Sequence, residues 1–126
     1  MDQLDDREVA TETRDTTKID REVDRIFPGP LPDISIRQGP RLLTVRKTAG
    51  LIPSDLSDRA ERPVPCDVVF WNPWIAKAKR TSDLGDEEYK NFTCIEPGLV
   101  VERQKLETGE SLRLSQEISI STRKTE

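Results

Sequence analysis

The run Cys66-Asp67-Val68-Val69-Phe70-Trp71 most narrows what this chain can fold into. It is nearly continuous in apolar strand formers, the β-branched and aromatic types that pack well on a pleated surface. Asn72-Pro73 ends it, because proline brings no N–H to a ladder and restricts the residue before it. The segment reads as a strand. What surrounds it is polar, with 33% hydrophobic and 35% charged residues overall. With the 6 glycines counted in, the apolar share is roughly 38%, below the roughly 45–50% of globular domains. A core is therefore expected, but not one that takes in the whole chain. At 126 residues the length allows one domain or part of one.

Alternation and breakers place the other elements. Residues 22–27 alternate and stop at Pro28, Gly29 and Pro30, which predicts a short strand. Residues 41–47 predict another. The stretch 48–65 holds Pro53, Pro63 and Pro65 among charges and reads as a loop, long for a compact domain. Residues 74–80 suit a short helix, with Trp74 and Ala78 four apart on one face. Residues 81–91 read as a polar loop, and Phe92 to Glu96 as a strand ended by Pro97-Gly98. Residues 99–105 and 111–120 suggest a closing hairpin across Glu107 to Glu110. In its second arm Leu112, Leu114, Ile118 and Ile120 share one parity, with Gln116 breaking the stripe, the pattern of a half-buried strand. Residues 1–18 offer too little apolar surface to offset ordering entropy and read as a flexible tail, with a second tail at 122–126. Residues 19–121 are the expected folded part: mostly β, antiparallel in character, with one short helix.

Charge and residue usage remove whole classes of function. Against 24 acidic residues stand 20 Lys and Arg, a net charge of -4, which argues against a nucleic-acid partner. No apolar run approaches the roughly 18–20 residues of a membrane span, and the opening residues lack the basic-then-apolar order of a secretory signal. Cys66 and Cys94 form neither a disulfide framework nor a zinc pattern, so a cytoplasmic setting with reduced thiols is expected. These residues include no histidine, hence no His-based metal site, catalytic triad or general acid.

The chemistry-bearing residues cluster late. Five of the six aromatics, Phe70, Trp71, Trp74, Tyr89 and Phe92, lie between positions 70 and 92. Glu96 closes an apolar strand beside a turn, where partial desolvation would make its carboxylate a better base. Indole faces near carboxylates suit sugar rings. The competing readings are plain: Trp71 and Trp74 as packing that braces the strand-to-helix turn, Asp86, Glu87 and Glu88 as a solvated loop rather than a metal site, Arg25 as an exposed ion pair, and Cys94 as a small apolar filler.

A longer pattern sharpens the choice. Asp67-Val68-Val69-Phe70-Trp71-Asn72-Pro73-Trp74, Lys77-Ala78-Lys79, Asp83 to Asn91 and Cys94-Ile95-Glu96-Pro97-Gly98 together resemble the glucose-6-phosphate 1-epimerase family, the hexose-6-phosphate mutarotases related to aldose 1-epimerase. Glu22-Val23-Asp24-Arg25-Ile26-Phe27 resembles that family's Glu-Val-Asp-Arg-Ile-Tyr segment. The resemblance covers roughly residues 18–121 and corresponds to the C-terminal part of such a protein. It implies part of an antiparallel, galactose-mutarotase-like β-sandwich. It also implies interconversion of the α and β anomers of hexose 6-phosphates, with Glu96 as general base on the C1 hydroxyl, Asp24 as a ligand to sugar hydroxyls, and no cofactor or metal. The family's general acid is a histidine of the N-terminal half, and its phosphate-gripping arginines also lie mainly there; the present residues include neither.

Three expectations follow from that departure. The chain is an epimerase-family sequence with Glu96 as base, or a non-catalytic product (a truncated gene, a split-gene half or a sugar-binding remnant), or a small β module that uses exposed edges for a partner. Half a sandwich leaves open edges, so pairing with a complementary N-terminal half or self-association is expected of it.

Overall fold

In a computed structural model the described residues are all but 7, 10–15, 17, 55–59 and 123–126. The fold is mostly antiparallel β with one short helix, as the residue pattern predicts. The chain divides into two units, Met1–Pro28 with Val68–Glu96, and Gly29–Asp67 with Pro97–Glu126.

The first unit is organised around the apolar run. That run forms strand β5 (Asp67–Asn72), the middle strand of a three-stranded sheet. On one side lies β1 (Val23–Phe27), antiparallel, with Asp24 opposite Trp71 and Ile26 opposite Val69. On the other lies β6 (Cys94–Gly98). Helix α1 (Trp74–Ala78) follows Pro73, and a single 3-10 turn spans Glu88–Lys90 inside the expected loop. Val23, Ile26, Val68, Ala78 and Tyr89 are buried and make the core of this unit. Val23 and Ile26 have opposite parity, so β1 is covered on both faces rather than on one. Of the residues read as an N-terminal tail, Met1 and Gln3 bond along β1: Ile26 N–H donates to the Met1 carbonyl at 2.8 Å and Gln3 N–H to that of Asp24 at 2.7 Å. Much of the remaining segment lies outside the described residues, as do residues 123–126 of the C-terminal tail.

The second unit is built on β3 (Arg41–Ile52), a 12-residue strand. One edge of β3 takes β2 (Ile34–Gln38) and then β4 (Arg62–Val64); the other takes β7 (Ser111–Thr122). β2 and β3 are joined through Gly39, whose φ of 58° is a left-handed conformation that glycine adopts without a Cβ penalty. Two sequence expectations change here. The loop assigned to 48–65 begins only after Ile52, and β4 forms at its far end. Proline in β4 is compatible with pairing because the strand is short and pairs only with β3 among the described residues, leaving one edge that needs no donor. The hairpin between 99–105 and 111–120 does not form: residues 99–105 carry no strand, and β7 pairs along all of β3 instead. That register sets Ile120 beside Leu43, Ile118 beside Val45 and Leu114 beside Ala49, an apolar match that residues 99–105 do not offer.

Asp67 anchors the second unit. Its carboxylate accepts the N–H of Gly29 at 2.8 Å and those of Val100 and Val101 at 2.9 Å each. Burial pushes this carboxyl up, but the three backbone donors outweigh it and hold the group below the usual carboxylate range. Gly29 is required beside it, since a Cβ there would lie 2.6–2.8 Å from the backbone of Cys66.

Candidate functional site

The Asn72-Pro73 break does more than end a strand. The Asn72 side chain is fully buried. Its Nδ2 donates to the carbonyls of Tyr89 and Phe92, both at 2.9 Å, and its Oδ1 accepts the N–H of Trp74 at 2.9 Å. One amide therefore ties the end of β5, the start of α1 and the 89–92 segment together. Trp74 sits at φ 52°, a conformation that costs a bulky residue about 1–3 kcal/mol and persists only where surroundings over-determine it. Those surroundings are the Asn72 bond and the ring of Tyr89, packed edge-on at 5.1 Å between centroids. Trp71 packs against Phe92 at 5.9 Å, and Thr93 Oγ1 donates to the Trp71 carbonyl at 3.3 Å. Both indoles brace the turn, the packing role weighed for them above.

Asp24 stands in a half-buried polar cluster. Its Oδ1 accepts Gln3 Nε2 at 2.9 Å, and Lys77 Nζ lies 3.8 Å from its Oδ2. The same ammonium is 3.5 Å from Glu22 Oε1 and 5.6 Å from the centre of the Trp71 ring. Asp24 is thus held by neighbours from α1 and the N-terminal residues, not merely turned to solvent. Arg25 forms an ion pair, as expected, but a half-buried one, with Asp2 at 2.8 Å.

Glu96 lies on β6 and is exposed. The desolvated setting expected at that strand end is absent, because β6 is the outer strand of its sheet and leaves the carboxylate in water. Its near neighbour is Cys94, two residues back on the same face. Burial, the Glu96 charge and a hydrogen bond to Glu96 push the Cys94 thiol up. Asp24 and Glu96 belong to one unit and to the two strands that flank β5. The acidic loop is otherwise occupied: Glu88 accepts the N–H of Gly85 at 3.2 Å and Glu87 pairs with Lys90. Among the described residues no group of three or more Cys, Asp and Glu is placed to hold a metal ion, and no helix is long and apolar enough to cross a membrane.

From the sequence Asn72 was read only as a breaker and a motif residue, Lys77 only as a motif residue, and Gln3 not at all; none was given a role at the site. For Lys77 the available signal was its place three residues after Trp74, on a helix facing β1. For Asn72 the signal was an amide two residues before the first helical N–H, a spacing suited to a local side-chain-to-backbone bond.

Comparison with known proteins bears on the same residues. No family model matches the chain, and no solved structure does. A protein from Cenchrus ciliaris named "Putative glucose-6-phosphate 1-epimerase" is 34% identical over 113 residues, 90% of this chain and 30% of that protein. A protein of the same name from Escherichia coli (strain K12) is 35% identical over 57 residues, 45% of this chain and 19% of that protein. The chain thus spans about a third or less of the curated relatives it matches. The chain is related in sequence to proteins named as glucose-6-phosphate 1-epimerases.

Proposed function

We propose that this chain forms part of a hexose-6-phosphate binding and epimerising site in the cytoplasm, with Glu96 as general base and Asp24 as a ligand to sugar hydroxyls. The observation that supports it is the relationship to proteins named for glucose 6-phosphate 1-epimerisation, over a span containing both carboxylates. In this reading the Glu96 carboxylate takes the C1 hydroxyl proton while the ring oxygen is protonated, and the C1–O5 bond opens. Rotation about C1–C2 and reclosure on the other face give the second anomer, with the proton returned to C1–O. An exposed Glu96 is open to substrate.

In this reading the acid that protonates the ring oxygen is the family's N-terminal histidine, which these residues do not include. A complementary polypeptide that carries it, and the phosphate-binding groups with it, completes the site. General acid–base help is worth ~10²–10⁴-fold per positioned group, so exchange by the chain alone is slow. The same missing histidine favours a second reading, a fragment that binds sugar phosphate without turning it over.

Anomer exchange of glucose 6-phosphate, followed by NMR, separates the two. Exchange above background that disappears in Glu96→Gln supports the catalytic reading. Binding without exchange supports the second. Neither binding nor exchange, with the chain folded, removes both.

A further inference from the structure

We propose that β7 is a self-complementary edge on which a second copy of this chain seats, β7 against β7, antiparallel about a two-fold axis at Gln116. Among the described residues β7 pairs only with β3, so its outer edge presents free N–H and C=O groups along 12 residues. Every one of those residues except Leu112 is exposed. Natural edges of this length are guarded by proline, bulges or charged side chains; β7 has no proline, runs in unbroken register with β3, and carries its two charges, Arg113 and Glu117, at odd positions, off the face of the apolar stripe. Four of its even positions carry an apolar stripe, interrupted by Gln116, that is increasingly bare toward the end of the strand, with Leu114 at 48%, Ile118 at 57% and Ile120 at 67% exposure. The stripe continues the face that holds Val45 and Ala49, both buried.

What identifies a second copy as the occupant is the order of side chains, which reads alike in both directions. Folding the strand on itself at Gln116 sets Leu112 opposite Ile120 and Leu114 opposite Ile118, each pair formed twice by symmetry. On the other face Arg113 meets Ser119, Ser115 meets Glu117 and Ser111 meets Ser121, so no like charges oppose. Arg113 is then diagonal to the other copy's Glu117, within reach of a long side chain. A one-residue slip destroys the match, since it sets Leu114 against Glu117 and Ile118 against Arg113. The pairing merges two stripes into one and leaves in place the Arg113–Glu61 and Arg46–Glu117 contacts within each copy. It does not depend on the sugar chemistry proposed above.

The test is the mass of the full chain by sedimentation over a wide concentration range, with two variants. The unmodified chain is expected to form a discrete dimer. Ile118→Lys, folded by circular dichroism, is expected to dissociate at least about tenfold more readily, since the charge enters twice. Gln116→Cys is expected to form a 116–116 disulfide on mild oxidation, identified by peptide mapping, and this variant keeps the stripe intact. A monomer at every concentration, a dimer unchanged by Ile118→Lys, open-ended aggregation, or no 116–116 link would each overturn the proposal. So would dimerisation that appears only when a different polypeptide is added.

Discussion

β5 and β7 are both strands with apolar residues, yet only one is inside. β5 has a strand on each edge, and Val68, its second residue, is 1% exposed. β7 has β3 on one edge and carries its isoleucines into solvent. β5 is apolar almost throughout and β7 only at alternate positions, and their neighbours differ as well. β5 is further closed by a polar lock, the Asn72 amide with its three bonds, placed where the strand turns into α1. Nothing comparable ends β7. An apolar period therefore predicts that a strand exists, while its burial is decided by what the rest of the fold sets beside it.

The sharpest way to break this contrast is to remove the lock. Asn72→Ala leaves the Trp74 N–H and two carbonyls without their partner inside a buried site. The expected cost is about 3 kcal/mol, read as a fall in the urea midpoint. A loss near zero would mean the amide merely fills space.

Asp67 gives the next largest effect. In Asp67→Asn one end of the side chain must turn a donor toward backbone N–H groups, at an expected cost of about 2 kcal/mol. The pH dependence has a definite sign. The carboxyl is held below its unfolded value by backbone donors, so its stabilisation is complete above the ordinary carboxylate value of about 3.9. It is lost as pH falls from there through the folded value. Unfolding followed between neutral pH and strong acid should show this acid limb in the parent chain and a shallower one in Asp67→Asn.

At the small end, Ile120→Thr on β7 should change the stability of the dilute chain by no more than about 0.5 kcal/mol, the range of exposed surface positions. A cost near that of a buried isoleucine would show that the β7 stripe is covered within a single copy, and the contrast with β5 would fail.

The same contrast explains what could be read from the sequence. β1, β5 and α1 were legible because each joins a clear periodicity to a breaker, Pro28 for β1 and Asn72-Pro73 between β5 and α1. β2 was not, since Ile34 and Ile36 are its two apolar residues and a proline precedes the segment closely. The extension of β3 to Ile52 and the choice of β3 over residues 99–105 as partner for β7 are long-range pairings, which local pattern does not encode. At the candidate site, Asp24 and Glu96 were identified by resemblance. The polar cage around Asp24 and the exposure of Glu96 depend on residues far away in the chain, among them Gln3 and Lys77 for the cage. Asn72 was visible as a strand terminator, and that reading hid its second use as the amide that fixes the turn.

The most direct test of the central claim is a titration of the isotope-labelled chain with glucose 6-phosphate, followed by amide NMR shifts. Saturable shifts centred on β1 near Asp24 and on β6 near Glu96 are expected, weakened in Asp24→Asn. Shifts that are absent in a folded chain, or that centre on β7 and leave β1 and β6 unmoved, would contradict the claim.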